Sequence, residues 1–167
     1  VGVGLGYQQA DFDAFGVNMG DRVDLFEEKV EILHRCWSGE EFSFNGKHHQ
    51  IDNLTVRPNP IQKPHPPLWI GASAPVSARR AADIADAIVT TPSTTLDNTV
   101  KLIDHYKNAA AAAGKTPTPI IMRDAWVANS RKEAEEIYGP EVMQAYRYYW
   151  QNGLPEFLSI KNESELT

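Results

Sequence analysis

The sequence is poor in cysteine, in long apolar runs and in clustered basic residues, and each shortage excludes a class of protein. Cys36 is the only cysteine among 167 residues, which excludes an internal disulfide and is typical of proteins of the reducing cytoplasm. Uncharged apolar runs of membrane-spanning length are missing, and the first residues lack the basic segment of a signal peptide. We therefore expect a cytoplasmic protein that does not associate with a membrane.

The charges exclude nucleic acid as an expected partner. Lysine and arginine number 16 against 22 aspartate and glutamate, the formal net charge is -6, and the two signs are interspersed along the chain. Without a basic stripe, no surface would neutralise a phosphate backbone. His48 and His49, adjacent on a predicted strand, would point to opposite faces, so we expect no metal site either.

Short apolar runs alternate along the chain with longer helical periods. Strands are predicted at 1–6, 68–71, 87–91 and 119–128, and helices at 19–38, 75–85, 96–113 and after Ser130. Ser130 and Glu133 form a capping-box pattern, and an aromatic-rich stretch at 141–150 is predicted to be helical. Because parallel neighbours need crossover connections, this order predicts an α/β fold with a parallel sheet.

Residues 39–67 interrupt that alternation. Phe42 to Phe44 alternates in polarity, Asn45-Gly46 is a type I′ turn signal, and residues 47–51 return, which predicts an antiparallel hairpin. Several prolines then make an extended approach to the next strand. We treat 39–67 as an insertion within a single domain that covers residues 1–167.

Two architectures are compatible with the parallel sheet. A doubly wound sheet predicts a G-x-G-x-x-G fingerprint after its first strand, but Tyr7 stands where the third glycine is needed after Gly2 and Gly4. A (β/α)8 barrel needs about 250 residues, so four strand–helix units would be half of one. The chain begins within a strand and without an initiator methionine, which favours the half barrel.

Several motifs, in a consistent order over about residues 1–136, together resemble the bacterial luciferase-like monooxygenase family. They are GVGLGYQQADFDAFGVNMGDR, the E-x-L-x-x-x-W-x-G of Glu31 to Gly39, RPNPIQKPHPPLWIGAS and SARRAADIADA. The resemblance implies a partial TIM barrel with a small hairpin insertion. Its fourth to seventh strands would be 1–6, 68–73, 87–91 and 120–127, and strands one to three and eight would be absent.

The resemblance also implies a function. Members of the family are FMN-dependent or coenzyme F420-dependent oxidoreductases. Some are monooxygenases, flavoproteins that oxygenate a small organic substrate with reduced FMN and O2, and others transfer a hydride through F420. The implied partners are a small-molecule substrate, a flavin or F420 reductase and, for the full-length protein, a second copy in a homodimer. Some members carry a catalytic histidine in the early strands, so no residue of this chain is assigned a catalytic role.

The turn that follows residues 68–71 is the first predicted binding element. Ligands of such barrels lie where strands end and helix N-termini offer free N–H groups. The turn Gly71 to Ala74 has no bulky side chain, so it is predicted to seat the 5′-phosphate of FMN or the phosphodiester of F420. The resemblance places phosphate contacts at Ala72 and Ser73, and Ser77 takes the place of a hydroxyl that some members carry one residue earlier. Ser73 could instead only cap the helix.

The turn after residues 1–6 is the second element. The resemblance places the cofactor beside Gly4, Gly6 and Tyr7, where Tyr7 either contacts the cofactor or is a simple rim aromatic. Leu5 stands where some luciferases carry a phosphate-binding arginine, so that contact is not expected here. The predicted cofactor-binding residues are therefore Gly4, Gly6, Tyr7, Gly71, Ala72, Ser73 and Ser77.

Three alternatives stay open at the level of sequence. The chain could belong to a non-catalytic flavin-binding relative, or to another phosphate-binding barrel enzyme. It could also be an inactive truncated product whose unpaired sheet edges promote aggregation.

Overall fold

The computed structural model describes residues 1–166, and within them the chain forms six strands and five α-helices. The strands are β1 (Gly2–Val3), β2 (Phe42–Asn45), β3 (Gln50–Leu54), β4 (Trp69–Gly71), β5 (Ala87–Val89) and β6 (Pro119–Ile120). The helices are α1 (Gln9–Ala14), α2 (Arg22–Ser38), α3 (Pro75–Ile84), α4 (Leu96–Ala112) and α5 (Arg131–Gln151). None of the helices described within residues 1–166 is long and apolar enough to cross a membrane.

Four of the strands form one parallel sheet in the order β1-β4-β5-β6. Each new strand is added beside the previous one, and the registers place Val3 opposite Ile70 and Ile70 opposite Ile88. A doubly wound sheet would reverse direction at a switch point, whereas this order runs one way, as in a (β/α) barrel. The predicted parallel α/β fold is confirmed, and the doubly wound alternative is wrong.

The core lies between this sheet and helices α3 and α4. Ile70 and Ile88 are 1% and 0% exposed, and Tyr106 of α4 is 2% exposed against the same layer. Three alanines of α3 are 0–1% exposed: Ala78, Ala81 and Ala82. Their small side chains let the helix backbone approach the sheet and α4 closely, which fixes the position of the α3 N-terminus.

The strands are shorter than the sequence predicts. The predicted strand 119–128 pairs with β5 only through Pro119 and Ile120, and Met122 and Val127 are 48% and 96% exposed. β6 lies at the edge of the sheet, so it has a hydrogen-bonding partner on one side only. Beyond Ile120 the chain turns away from the ladder, and Arg123 contacts the β5–α4 loop instead.

The helix boundaries follow local capping chemistry. Pro75 occupies the first turn of α3, and the glycines Gly39 and Gly114 take positive φ angles of 72° and 69° just beyond α2 and α4. Ser130 accepts from the Glu133 N–H, but the Glu133 carboxylate accepts from Asn129, so the capping box is shifted. The six-residue α1 was not predicted, because Gln9–Ala14 lacks an apolar period.

The predicted hairpin is confirmed, but its turn is not type I′. β2 and β3 are antiparallel and are joined by a four-residue loop at 46–49, in which the Gly46 N–H donates to the His49 carbonyl. No residue of the loop has a positive φ, which a type I′ turn requires. His48 and His49 lie in this loop and not on a strand, which corrects the predicted alternation of their side chains.

Glu28 of α2 explains the wider loop. Its carboxylate accepts from the backbone N–H groups of Lys47, His48 and His49 and lies 2.8 Å from His49 Nδ1. Burial by itself raises the pKa of Glu28, but the hydrogen bonds from His49 and from the loop amides outweigh it, and the net pKa is below its usual value. The loop is therefore shaped by a carboxylate about 20 residues earlier in the sequence.

We expect Glu28→Ala to release the hairpin from α2. Hydrogen-exchange protection of the amides of residues 47–49 should fall about tenfold or more, because three donors lose one acceptor. Since the carboxylate stabilises this contact while ionised, the wild-type protection should persist at neutral pH and be lost as pH falls below the lowered pKa of Glu28. Glu31→Ala, which removes an exposed ion pair with Arg35 on the same helix, serves as the control and should leave the loop protected. Equal hydrogen-exchange protection of residues 47–49 in the two variants would contradict the role of Glu28 in holding the loop.

Candidate functional site

The carboxyl ends of the four parallel strands meet at one edge of the sheet. The segments that leave β1, β4 and β5 at this edge are 4–8, 72–74 and 90–95. Helix α3 begins immediately after the second segment, and α4 begins after the third. Six of the seven predicted cofactor-binding residues lie in these segments or at the end of β4, and Ser77 lies in the first turn of α3, so the fold brings the two predicted turns together.

Gly4 and Gly71 present bare backbone at this edge. The pairing of Val3 with Ile70 places these two glycines one residue further along neighbouring strands. A Cβ built on Gly4 meets nothing within 4 Å, and one on Gly71 meets only the Val3 carbonyl oxygen at 3.8 Å. Among the described residues, the backbone at these two positions therefore leaves room for a flat ligand.

Gly6 and Tyr7 have more local roles. Gly6 has a φ of +75°, and a Cβ there would lie 3.1 Å from Cζ of Phe12, so the turn into α1 itself requires glycine. The half-buried Tyr7 accepts a 3.4 Å hydrogen bond from Nε2 of Gln8, which lies at the same distance from the hydroxyl of Tyr148 on α5. Tyr7 thus lies at the rim of the edge, under the end of α5.

The turn between β4 and α3 leaves a helix N-terminus without a side-chain cap. The N-cap residue is Ala74 and not Ser73, which corrects the capping alternative for Ser73. Ser77 Oγ accepts from the Ala74 N–H at 3.1 Å and donates to the Ala74 carbonyl at 2.8 Å. An alanine side chain has no acceptor for the N–H groups of the first turn, so these groups remain available to an anion.

Ala72 contributes little that could reach a ligand. Its side chain is 4% exposed and packs in the core, and its N–H donates to the Val89 carbonyl at 3.0 Å. Its carbonyl group makes neither of these contacts. The contact predicted for Ala72 thus stays a prediction, and Ser73 is the better-placed residue of the pair.

A cavity of about 450 Å³ lies between the first turns of α3 and α4. It is lined on one side by Ser73, Ala74 and Pro75 and on the other by hydroxyl, amide and basic side chains, namely Ser93, Thr94, Thr95, Asn98, Lys101 and His105. We did not predict this second side of the cavity from the sequence. The sequence feature that could have predicted it is the hydroxyl-rich run TTPSTT at the end of β5. A strand that ends in such a run presents hydrogen-bonding groups at the carboxyl edge of the sheet.

Arg123 holds the β5–α4 loop in place. Its Nη1 donates to the carbonyl oxygens of Thr94 and, at 3.2 Å, of Pro92, and its Nη2 donates to Thr99 Oγ1 at 2.6 Å. The planar guanidinium thus contacts both the loop and the first turns of α4. No local pattern in the sequence marks Arg123, because its partners are 24 to 31 residues away.

Arg123→Ala is expected to loosen the loop that lines the cavity. Loss of three charge-assisted hydrogen bonds should lower the free energy of unfolding by about 2 kcal/mol and increase hydrogen exchange at residues 91–99. Arg123→Lys should recover only part of this, because an ammonium group cannot reproduce the fork. The control is Arg131→Ala, which removes a guanidinium that is 92% exposed and should leave the free energy of unfolding unchanged within error. Equal effects of the two alanine variants would contradict the role of Arg123.

Helix α5 connects the two ends of this edge. Its Tyr148 reaches Gln8 beyond β1, while its Tyr146 donates to Asp124 Oδ2 at 2.9 Å beyond β6. Burial, followed by the hydrogen bond and the charge of Asp124, raises the pKa of Tyr146 to about 12, so its hydroxyl remains a donor at neutral pH. The aromatic stripe predicted at 141–150 is mostly half-buried against the protein.

A larger cavity, of about 790 Å³, lies at the opposite edge of the sheet. His65, Asp86 and Lys115, which line it, precede β4, β5 and β6, so they lie at the amino ends of the strands. Residues at this end of a barrel serve stability, whereas ligands bind at the carboxyl ends. Burial and the nearby His65 lower the pKa of His34 in this cavity, which is typical of packed imidazoles. We therefore place the candidate site at the carboxyl edge, although its cavity is smaller.

No group of three or more His, Cys, Asp or Glu side chains suited to a metal ion occurs among residues 1–166. The candidate site consists instead of bare glycines, a helix N-terminus, hydroxyl groups and Lys101. Such groups bind a flat ring and an anionic arm by contact and hydrogen bonding.

Comparisons with known proteins bear on the family and the fold of the chain. A family profile described as luciferase-like monooxygenase matches residues 1–164. The oxygenase component of the flavin-dependent trigonelline monooxygenase of Acinetobacter baylyi is 26% identical over 99% of this chain and 45% of its own length. An F420-dependent glucose-6-phosphate dehydrogenase of Nakamurella multipartita is 31% identical over 54% of this chain and 26% of its own length.

A solved structure shows the same fold. The crystal structure of the monooxygenase RslO1 from Streptomyces bottropensis superimposes with a TM-score of 0.81 and 29% identity over 91% of this chain and 48% of that one. The chain spans half or less of the length of these relatives. The predicted partial TIM barrel is thus confirmed.

Proposed function

Because the chain belongs to the luciferase-like monooxygenase family, we propose that it carries the cofactor-binding edge of a flavin-dependent or F420-dependent oxidoreductase. The finer proposal is that the enzyme either oxygenates a small organic substrate with reduced FMN and O2 or transfers a hydride through F420. The observation that carries it is the convergence of open glycine backbone and an uncapped helix N-terminus at the carboxyl edge. Relatives whose names state FMN or F420 dependence support both cofactor choices.

The residues present fit such a cofactor. Gly4 and Gly71 leave room for a flat ring against the backbone, since a Cβ at either position would extend into that space. The first-turn N–H groups of α3, with Ser73 beside them, would hold the phosphate in the 450 Å³ cavity, and Lys101 adds a positive charge. Gly6, Tyr7, Ala72 and Ser77 complete the proposed set, of which Gly6 and Ser77 act mainly by shaping the two turns.

The redox step would belong to the bound cofactor, which supplies electron or hydride transfer that no protein side chain provides. The chain would bind the phosphate, orient the ring at the glycine surface and exclude water beneath α5. Tyr7 and Tyr148, connected through Gln8, would close the ring side of this edge. We further propose, as partners of the whole protein, a small organic substrate, a reductase that supplies the reduced cofactor, and a second copy of the protein.

The test is a titration of the complete gene product with FMN, riboflavin and F420, followed by absorbance and fluorescence. We expect submicromolar binding of FMN or F420, and binding of riboflavin at least about tenfold weaker than that of FMN, because riboflavin lacks the phosphate. Turnover is then measured as O2 uptake with reduced FMN or as F420 reduction with candidate alcohols. If neither FMN nor F420 binds, the proposal is contradicted.

A further inference from the structure

Tyrosine side chains are concentrated at the carboxyl edge of the sheet. Tyr106 lies in the core, and the other tyrosines of the chain lie in the segment after β1 or on α5, namely Tyr7, Tyr138, Tyr146, Tyr148 and Tyr149. The hydroxyls of Tyr138 and Tyr146 donate to the two carboxylate oxygens of Asp124, at 3.5 and 2.9 Å. The protons of these two hydroxyls therefore already have an acceptor within the protein.

Tyr7 and Tyr148 have the opposite hydrogen-bonding arrangement. Gln8 Nε2 lies 3.4 Å from each of their hydroxyl oxygens and donates to both. A carboxamide nitrogen carries two hydrogens, so one is available for each phenol oxygen. Among residues 1–166, neither hydroxyl has an acceptor for its own proton. The edge therefore presents two O–H donors that the described part of the protein does not use.

Gln8 holds the two hydroxyls as a pair. Because both phenol oxygens lie 3.4 Å from one nitrogen, they are no further apart than twice that distance. A hydroxyl that accepts a hydrogen bond becomes a better donor through its own proton, because linked hydrogen bonds polarise one another. Tyr148 is 52% exposed, so a ligand that lies over the edge can reach the pair.

The chemistry of the pair suits a neutral acceptor oxygen. Phenol and carboxamide groups are neutral, and neither lysine nor arginine is hydrogen-bonded to the pair among the described residues. A carbonyl oxygen has two lone pairs, which two hydroxyl donors can satisfy. A carboxylate or phosphate would keep its charge uncompensated at such a site. Donors placed at a carbonyl oxygen also draw electron density away from the carbonyl carbon.

We propose that Tyr7 and Tyr148, positioned by Gln8, bind the carbonyl oxygen of the substrate, so that the substrate class is neutral aldehydes and ketones. This inference rests on the proposed function, because the pair lies beside the glycine surface that is proposed to hold the cofactor ring. It narrows the small organic substrate of that proposal to one functional group.

The probe is cyclohexanone labelled with carbon-13 at the carbonyl, titrated into the complete gene product with and without FMN or F420. Its carbonyl resonance moves downfield when the oxygen accepts hydrogen bonds, so nuclear magnetic resonance reports both binding and polarisation. Methylenecyclohexane has nearly the same shape but no acceptor oxygen, and it serves as the matched ligand. Thermal unfolding of each variant reports on folding.

Removal of either hydroxyl should weaken the ketone selectively. Tyr7→Phe and Tyr148→Phe should each lower the affinity for cyclohexanone about fivefold or more and reduce the downfield shift, with methylenecyclohexane changed by less than about twofold. Tyr149→Phe is the control, because its ring packs edge-to-face with Tyr148 and its hydroxyl does not contact Gln8. Its affinity for both ligands should stay within about twofold of wild type.

Gln8→Glu tests the positioning role while it keeps both tyrosines. A carboxylate accepts where the carboxamide nitrogen donates, so the two phenol protons would turn toward residue 8 and away from the ketone. Affinity for cyclohexanone should fall about tenfold or more. Gln9→Glu is the control, because it adds the same charge one residue later, where the side chain contacts Asp13 and neither tyrosine. It should change the affinity less than about twofold.

Other outcomes would overturn the inference in distinguishable ways. If the phenylalanine variants weaken FMN or F420 and leave cyclohexanone unchanged, the pair binds the cofactor and not the substrate. Equal effects of Gln8→Glu and Gln9→Glu, or a wild type that does not bind cyclohexanone with or without cofactor, would also contradict it. A wild type that binds neither FMN nor F420 contradicts the proposed function, and cyclohexanone binding without cofactor then reports separately on the tyrosine pair.

Discussion

Replacement of Gly71 by valine is expected to weaken cofactor binding about 100-fold or more and to leave the free energy of unfolding within about 1 kcal/mol of the wild-type value. A Cβ at this position meets only the Val3 carbonyl oxygen at 3.8 Å, an ordinary contact, and valine suits a strand. The cost falls on the ligand, because two methyl groups would occupy the surface against which the ring is proposed to lie. Fluorescence titration and urea denaturation measure the two quantities separately.

The matched control is Gly2→Val. Gly2 lies on β1, pairs with Trp69 one residue before the Val3–Ile70 pair, and also has open space around its Cβ position. It is at the amino end of the strand, away from the carboxyl edge, so cofactor affinity should stay within about threefold of wild type. If Gly71→Val and Gly2→Val bind the cofactor equally, the ring does not lie on the glycine surface.

The largest effect on stability is expected at Tyr106. This side chain is 2% exposed in the core, and its hydroxyl accepts from the Thr118 N–H at 3.3 Å and lies 3.5 Å from the Asp86 carbonyl. Tyr106→Ala should lower the free energy of unfolding by about 3–5 kcal/mol, because it leaves a cavity the size of an aromatic ring between α4 and the sheet. Urea denaturation at constant m-value would measure the loss.

Tyr106→Phe separates the hydroxyl from the ring. The ring still fills the core, so the expected loss is only about 1 kcal/mol, from one unsatisfied backbone donor before β6. If Tyr106→Phe is as unstable as Tyr106→Ala, the stability contributed by Tyr106 does not come from the packing of its ring. Neither variant touches the carboxyl edge, so cofactor affinity of the folded fraction should be unchanged.

The sequence was sufficient for those features that depend on local patterning. The period of apolar residues predicts α2, α3 and α4 to within a few residues, because each of these helices must bury one face against the sheet. Pro75 and Gly114 mark helix ends for reasons of backbone geometry, and both lie where expected. The parallel sheet follows from the serial order of strands and helices alone.

Features that depend on distant partners were not predictable in this way. The hairpin loop is four residues long because Glu28, about 20 residues earlier, accepts its N–H groups, and nothing in Asn45-Gly46 reports that contact. Strand β6 ends at Ile120, and Arg123 just beyond it contacts a loop and helix start 24 to 31 residues earlier, a contact that no local pattern reports. At the site, the glycine and serine turns can be predicted from the sequence. The contact between Glu156 and Thr91 cannot, because these residues are 65 positions apart.

Hydrogen–deuterium exchange of the complete gene product, with and without saturating cofactor, reports at which edge of the sheet the cofactor binds. We expect added protection in the segments at the carboxyl edge, residues 4–7, 72–78 and 91–99, and no change around His34, His65 and Lys115 at the larger cavity. Protection confined to the larger cavity, with the carboxyl edge unchanged, would contradict the placement of the site at the carboxyl edge.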